Sequence, residues 1–292
     1  MERNRPKKSS HDERQAINRR YEQLSPALTQ AIRCLESHGQ DAWAVRAIND
    51  WIRWSGRRPR AEAVLSAIRA SASKGLGDEV KSLVSESVRS DLGICSCKRG
   101  IGYEDMIYVG AVTALHKRGL YDDADEIFMS GISTNHLPFN FARNTEGRYV
   151  LDLHGLNVAL SHSAVRVAMR QHAGRSQKDG STADMMIITG RGRNSALHLR
   201  PVLRPEVQRM LIEEFYPPLN TVSATDNIGA LLVLGSDVNA WQQHQEEQKG
   251  ARMLELAGVL RNISDQDRLV KSIFASIKAI ERDGSDNGSD WK

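Results

Sequence analysis

The stretch YVLDLHGL at 149–156 and the stretch IITGRGRNS at 187–195 decide the fold of this chain. Each is a short apolar run that ends in a polar or glycine-rich turn, which is typical of a buried strand followed by a loop. A helical pattern separates the two runs, and another follows the second. We therefore expect two strands of one sheet that bring Asp152 and His154 to the same edge as Gly190.

The residues around these strands predict an α/β two-layer sandwich. The expected order is β-α-β-α-β-β, with strands at 148–153 and 184–189, helices at about 157–173 and 202–215, and two strands within 221–235. His162 and His172 lie on the first of these helices, where we interpret them as surface or packing residues.

Residues 21–132 contain a weak internal repeat. AIRCLESHG, AIRASASKG and AVTALHKRG align on Gly39, Gly75 and Gly119, at spacings of 36 and 44 residues. Small residues stand on both sides of each glycine, where two helices must approach closely. The pattern predicts helical hairpins that bury their faces against their neighbours, and a plain helical bundle is the alternative.

The other boundaries follow from composition. Five further segments are expected: a basic N-terminal segment at 1–20, a linker at 133–147, the sandwich domain at 148–236, C-terminal helices at 237–282 and a disordered tail at 283–292. The overall class is therefore α + α/β, with helical repeats before the sandwich and helices after it.

The bulk composition excludes some functions. No apolar stretch approaches the roughly 20 residues needed to cross a bilayer, so no membrane anchor is expected. The three cysteines, Cys34, Cys95 and Cys97, have no metal-ligand spacing beyond one C-x-C, which argues against a disulfide scaffold and against a zinc site. The formal net charge is only +4, so the clustering of basic residues is more informative than their number.

The glycine-rich turn has the composition of an anion site. Gly190 and Gly192 lack a β-carbon, so backbone N–H groups can approach a phosphate closely. Arg191 and Arg193 add charge-assisted contacts to phosphate oxygens. Thr189, Asn194 and Ser195 complete the candidate phosphate-binding set. A short G-x-G is weak evidence alone, and its position after a strand and before a helix strengthens it.

Asp152 and His154 alternate with Leu151 and Leu153, so both polar side chains are expected on one side of the strand. A histidine beside a carboxylate suits a general base toward a 2′-hydroxyl or a water. Asp152 is alternatively a ligand for a divalent cation such as Mg²⁺, although the cofactor stays unknown. A purely structural Asp–His pair that pins a loop is the remaining alternative.

Taken together, LDLHG at 151–155 and TGRGRNS at 189–195 resemble the motifs of the Smr (small MutS-related) domain. The sequence at 105–132 resembles a pentatricopeptide repeat, and a repeat array before such a domain is similar to the pentatricopeptide-repeat Smr proteins of plant and algal organelles. The resemblance implies nucleic-acid binding, RNA more than DNA, endonuclease activity in several members, and a chloroplast or mitochondrial location. The basic N-terminal segment is not a convincing transit peptide.

One position departs from the family pattern. The second motif usually carries histidine where this chain has Asn194, and asparagine donates a hydrogen bond but transfers no proton near neutral pH. His198 is a candidate substitute. Two hypotheses follow: an endonuclease that uses Asp152 and His154, or a non-catalytic nucleic-acid-binding or scaffold protein. Protein partners that dock on the helical repeats form a third.

Overall fold

The computed structural model describes residues 11–89, 102–143, 147–173, 182–190, 202–224, 227 and 229–248. Within these ranges the chain is rich in helix and contains one small mixed sheet, so the predicted combination of α and β structure is confirmed at that level. Contact clustering divides the chain into one compact unit that ends at Val238 and a second that begins at Asn239. Residues 235–248 are helical.

The first part of the chain forms three antiparallel pairs of helices. The pairs are α1 (His11–Ser37) with α2 (Asp41–Ser55), α3 (Ala61–Ser73) with α4 (Gly77–Ser87), and α5 (Tyr103–His116) with α6 (Tyr121–Ser133). The glycines on which the repeats align lie in the three tight turns, with φ of +64° at Gly39, +78° at Gly75 and +75° at Gly119. This left-handed conformation costs glycine nothing, which explains why the same residue recurs at each turn.

The helical pairs stack with α1, α3 and α5 in one layer and α2, α4 and α6 in the other. The first layer is the more tightly packed. Gly110 of α5 faces α3 so closely that a β-carbon there would lie 2.1 Å from Cδ2 of Leu65. The absence of a side chain at Gly110 thus lets α3 and α5 approach closely at this point.

The second part of the chain forms a five-stranded sheet with two helices. Its elements are β1 (Asn140–Arg143), β2 (Tyr149–Asp152), α7 (Val158–Ala173), β3 (Met185–Ile188), α8 (Leu203–Glu213), β4 (Thr221–Ser223) and β5 (Ala230–Val233). The strand order is β1-β2-β3-β5-β4. Only β2 and β3 are parallel, with Asp152 opposite Ile188, and the other neighbours are antiparallel. From β2 onward the elements follow the predicted β-α-β-α-β-β order.

The two faces of the sheet differ in burial. Leu151, Met185 and Ile187 lie on one face and are fully buried. Asp152 and Ile188 belong to the opposite face, which is half-buried. This alternation follows from the two-residue period of a strand, and it leaves Asp152 partly open to solvent.

One strand was not anticipated. The range 133–147 was interpreted as a linker, yet Asn140–Arg143 forms β1 and pairs with β2. Turn-forming residues obscure the strand pattern in this range. Phe141 of β1 stacks on Tyr149 of β2, with 5.4 Å between the ring centroids. This contact covers the outer edge of β2, so packing rather than strand periodicity determines β1.

Helix α7 connects the helical pairs with the sheet. It packs against α5 and α6 on one side and against α8 and β2 on the other. Nearly every residue from Ala159 to Met169 is therefore buried, including polar ones. The helical pairs and the sheet accordingly belong to the same compact unit, although the sequence predicted two domains joined by a linker.

Within the described ranges, no helix is both long enough and apolar enough to cross a membrane. The predicted basic segment at 1–20 overlaps α1, which begins at His11. The expected helices beyond 248 and the expected tail at 283–292 lie outside the described residues.

Candidate functional site

The candidate site begins where β2 ends. Asp152 is half-buried, and its Oδ1 accepts a hydrogen bond of 2.9 Å from the backbone N–H of His154. This Asx-turn bends the chain sharply, and Gly155 completes the turn with φ of +81°. Leu153 is buried beneath the turn while His154 is exposed. The predicted alternation of leucines and polar residues is therefore present, but the histidine stands in solvent rather than against the sheet.

The end of β3 lies beside this turn. The backbone N–H of Leu153 donates to the carbonyl of Ile188 at 2.9 Å, so the two parallel strands remain joined up to their last residues. Gly190 follows with φ of +76°. A β-carbon placed on Gly190 would lie 3.4 Å from Nδ1 of His154. The imidazole of His154 therefore lies against Gly190, and the structure brings the two predicted turns together at one edge of the sheet.

The amides that open the glycine turn are already occupied. The N–H groups of Thr189 and Gly190 both donate to the carbonyl of Gly229, at 2.8 and 3.1 Å, and the hydroxyl of Thr189 donates to the same oxygen at 3.1 Å. Thr189 is buried. These three groups therefore stabilise the turn itself. A phosphate bound at this turn would have to contact residues that follow Gly190 in the sequence. The amide of Gly190 is thus hydrogen-bonded within the protein, and phosphate binding by the glycine-rich loop stays a prediction.

Side chains at the edge remain available for chemistry. Within the described part of the chain, the ring of His154 has no hydrogen-bond partner, and the Oδ2 atom of Asp152 has none either. An exposed imidazole and a half-buried carboxylate two residues apart can transfer a proton or orient a water or cation. The described residues contain no group of three or more His, Cys, Asp or Glu side chains arranged to hold a metal ion.

Asn157 connects this edge with the helical pairs. Its Oδ1 accepts a hydrogen bond of 2.9 Å from the backbone N–H of Leu160 and so caps the start of α7. Its Nδ2 lies 3.4 Å from the hydroxyl of Thr113 on α5. The sequence analysis did not single out Asn157, although an asparagine directly before an apolar helical pattern is a helix-start signal.

Thr113 also lines a groove on the layer formed by α1, α3 and α5. This groove, which we call the α1/α3/α5 groove, has a volume of about 540 Å³, and its charged or polar lining residues are Glu36, Arg69, Ser73, Thr113, Lys117 and Arg118. Arg69 and Glu36 neutralise each other through two hydrogen bonds of 2.7 and 2.9 Å. No acidic partner pairs with Lys117 or Arg118 among the described residues. The groove therefore carries a net positive charge, and one of its lining residues, Thr113, contacts Asn157 at the start of α7.

Behind this edge lies a buried charged cluster between α6, α7 and α8. Arg166, which is 7% exposed, donates from Nε and Nη2 to Asp125 at 2.8 to 3.0 Å. Its Nη1 donates to Glu214 at 2.8 Å. The guanidinium also covers the ring of Tyr121, 4.8 Å from its centroid. Such a network is stable only because every charge has a partner.

Two histidines lie next to this cluster. Nε2 of His116 on α5 is 3.0 Å from Nδ1 of His162 on α7, and His162 is 2% exposed. Burial, together with the neighbouring His116 and Arg166, lowers the pKa of His162 to about 4. Burial also lowers the pKa of His116. His162 and His172 are both buried, so the packing interpretation is correct for each.

The remaining predicted residues, Arg191, Gly192, Arg193, Asn194 and Ser195, lie outside the described residues, as does His198. Comparison with protein-family models, with curated proteins and with solved structures finds no match to this chain. A function is therefore argued from the geometry of the edge and of the groove.

Proposed function

We propose that this protein binds single-stranded nucleic acid, RNA in preference to DNA, and cleaves a phosphodiester bond at the edge where His154 meets Gly190. The contact between the His154 imidazole and Gly190, with Asp152 at the base of the same turn, carries the proposal. A proton-transferring group lies there beside a loop whose sequence is rich in glycine and arginine. The resemblance to the Smr motifs points to the same chemistry.

The preference for RNA follows from the groups available. In the proposed reaction, His154 removes a proton from a ribose 2′-hydroxyl, and the resulting oxygen attacks the adjacent phosphorus. The bond from phosphorus to the 5′-oxygen breaks, and that oxygen takes up a proton. The products are a 2′,3′-cyclic phosphate and a 5′-hydroxyl. This route needs a base but no bound metal, whereas hydrolysis of DNA would require an activated water.

The α1/α3/α5 groove supports the binding part of the proposal. Lys117 and Arg118 provide unpaired cations on the helical layer, and the contact between Thr113 and Asn157 joins that layer to the catalytic turn. Phosphate contacts of this kind supply most of the affinity for nucleic acid, and they are sensitive to salt. One strand could therefore lie along the groove and reach His154.

The test uses labelled single-stranded RNA and supercoiled plasmid, each with Mg²⁺ or with a chelator. We expect His154→Ala and Asp152→Asn to lower cleavage of RNA by roughly 100-fold or more, because general base catalysis contributes about that much. Both variants should bind RNA as the wild type does. Asp152→Asn keeps an oxygen that can accept the hydrogen bond from the backbone N–H of His154. This variant therefore removes the negative charge while it keeps the turn.

A second pair of variants tests the groove. Lys117→Ala with Arg118→Ala should weaken binding and reduce the slope of log K against log salt by about 1.4, or about 0.7 for each lost contact with a single strand. Arg209→Gln on α8, where the arginine pairs with Glu206 and Glu213, is the matched control for loss of charge. If the wild type binds no nucleic acid at low salt, the proposal is excluded.

The alternative is a binding protein without nuclease activity. Asn194 favours it, because the Smr motif usually has a histidine there, and so does the occupation of the Thr189 and Gly190 amides by Gly229. RNA binding that depends on Lys117 and Arg118, without cleavage of either substrate, would establish this alternative.

A further inference from the structure

Two exposed tryptophans on α2 are not explained by the packing of the helical pairs. Trp43 is 58% exposed and Trp54 is 66% exposed. They are 11 positions apart, which corresponds to about 16 Å along a helix and a rotation of only about 20° about its axis. The two indoles therefore lie on one stripe of α2, three turns apart. Burial of either ring elsewhere would stabilise the fold, so their exposure calls for another role.

Neighbouring side chains hold both indoles in place. The guanidinium of Arg46 lies 5.5 Å from the centroid of the Trp43 ring. Trp54 makes an edge contact of 5.7 Å with Trp51, which is itself buried and in contact with Tyr21. The exposed rings are thus ordered by aromatic and cation–π contacts, and little entropy is lost when a further flat group stacks on them.

The surface next to the stripe is polar. A groove of about 500 Å³ runs between α2 and α4, and it is lined by Asn49, Ile52, Arg53, Gly56, Ser82, Glu86 and Arg89. Ile52 is the only large apolar residue in that lining. An amphipathic partner helix needs an apolar groove, so this surface does not suit one. The combination of isolated indoles and a polar groove is instead typical of a stacking surface for bases.

The charge of this region favours an anionic partner. Residues 41–60 contain five arginines and two aspartates, and because Arg58 is paired with Glu104, a surplus of two positive charges remains. Arg46 and Arg53 both contact Asp50 on the exposed stripe, at 3.7 and 3.5 Å, and both are largely exposed. Such weak surface pairs exchange readily for phosphate oxygens.

We propose that this stripe of α2 is a second contact surface for single-stranded nucleic acid, in which bases stack on Trp43 and Trp54 and phosphates contact Arg46 and Arg53. The class of partner rests on the proposed function. The surface itself is new, because it lies in the layer of α2, α4 and α6, whereas the α1/α3/α5 groove lies in the other layer.

The test compares the full-length wild type with Trp43→Ala, Trp54→Ala and the double variant. Binding of a short single-stranded RNA is measured by anisotropy, and tryptophan quenching is recorded in the same titration. Each substitution should weaken binding roughly 5- to 100-fold, the range found for loss of one stacked base. The double variant should lose most of the quenching. Met129→Ala on α6 is the control for loss of an exposed apolar side chain, and it should leave both signals unchanged.

The two proposals fail in different ways. Unchanged affinity in the double variant, with the Lys117/Arg118 variant impaired, overturns the α2 surface and leaves the proposed function intact. Impaired binding in the double variant, with binding unchanged in the Lys117/Arg118 variant and cleavage unchanged in His154→Ala, supports the α2 surface and removes the groove and the edge. The α2 surface is also overturned if the wild type binds no RNA. It is overturned as well if Met129→Ala weakens RNA binding as much as the tryptophan substitutions do.

Discussion

His154 stands in solvent at the end of a turn, and its neighbours keep it there. Asp152 accepts the His154 backbone hydrogen bond, Gly155 adopts the left-handed conformation, and Asn157 caps the helix that follows. Asp152, Gly155 and Asn157 thus each have a separate structural task. The imidazole itself has none among the described residues, since no group there holds its ring. This exposure is what the proposed role of His154 as a base requires.

His162 is buried, whereas His154 is exposed, and it should make the free energy of unfolding depend on pH in the acidic range. Its folded-state pKa of about 4 lies below its ordinary value of 6.5, because burial disfavours the charged form. The unfolded chain therefore takes up this proton first as the pH falls. The free energy of unfolding should be unaffected by this group above pH 6.5 and should fall by about 3 kcal/mol between pH 6.5 and 4.

Urea denaturation at a series of pH values checks this expectation. His162→Gln removes the titrating ring, so its free energy of unfolding should change less over the same interval. Arg166 and Arg209 lower the pKa of His162 as His116 does, while Glu206 raises it. If the wild type and His162→Gln lose stability in parallel, the histidine does not carry the acid sensitivity.

Helix α7 shows what the capping and burial of one element contribute. It is buried on nearly all sides, and it begins at the Asn157 cap. We expect Asn157→Ala to lower the free energy of unfolding by about 1 kcal/mol, because one N–H of the first turn then loses its partner. Asn157→Asp keeps the capping oxygen but not the contact of Nδ2 with Thr113. Chemical denaturation of both variants separates the contribution of the cap from that of the contact. Equal losses of unfolding free energy in Asn157→Ala and Asn157→Asp would show that the cap does not contribute.

The elements differ in how well the sequence predicts them. Helices α7 and α8 and the strands from β2 to β5 follow from apolar runs and periodicity, and the three glycine turns follow from the aligned repeats. β1 is missed because it lies in a range rich in turn-forming residues, and the stacking of Phe141 on Tyr149 leaves no alternating apolar pattern within the strand. Likewise, the sequence places His154 and Gly190 at one edge, but it does not show that Gly229 occupies the Thr189 and Gly190 amides.

The compact unit that ends at Val238 is joined across α7 by the cluster around Arg166. Sequence patterns did not reveal this cluster, because a single arginine within an apolar helical face gives no hint of its partners. Asp125 on α6 and Glu214 after α8 are far from Arg166 in sequence, and only the packing of three helices brings them together. The predicted boundary between two domains is therefore bridged by buried charge.

Breaking this cluster should destabilise the whole unit. Arg166→Met leaves the carboxylate of Asp125, which is 2% exposed, without its main partner, and we expect a loss of about 3 to 5 kcal/mol. The double variant Arg166→Met with Asp125→Leu should recover much of that loss, since the buried carboxylate is gone and the groups left without a partner, Glu214 and Arg170, are partly exposed. Arg170→Met removes a half-exposed arginine that also contacts Asp125, and it should cost less than about 1 kcal/mol. Thermal unfolding of the wild type, Arg166→Met, Asp125→Leu and the double variant gives the coupling energy, and simple additivity would contradict the assignment.

Because α7 is enclosed by α5, α6, α8 and β2, the helical layer cannot swing away from the edge of the sheet without local unfolding. The separation between Lys117 and His154 is therefore a constant of the fold. Under the proposed function, an RNA that occupies both places is expected to be cut at one offset from the nucleotides that contact the helices, whatever their sequence. Mapping of the fragment ends on unrelated transcripts would display that offset directly.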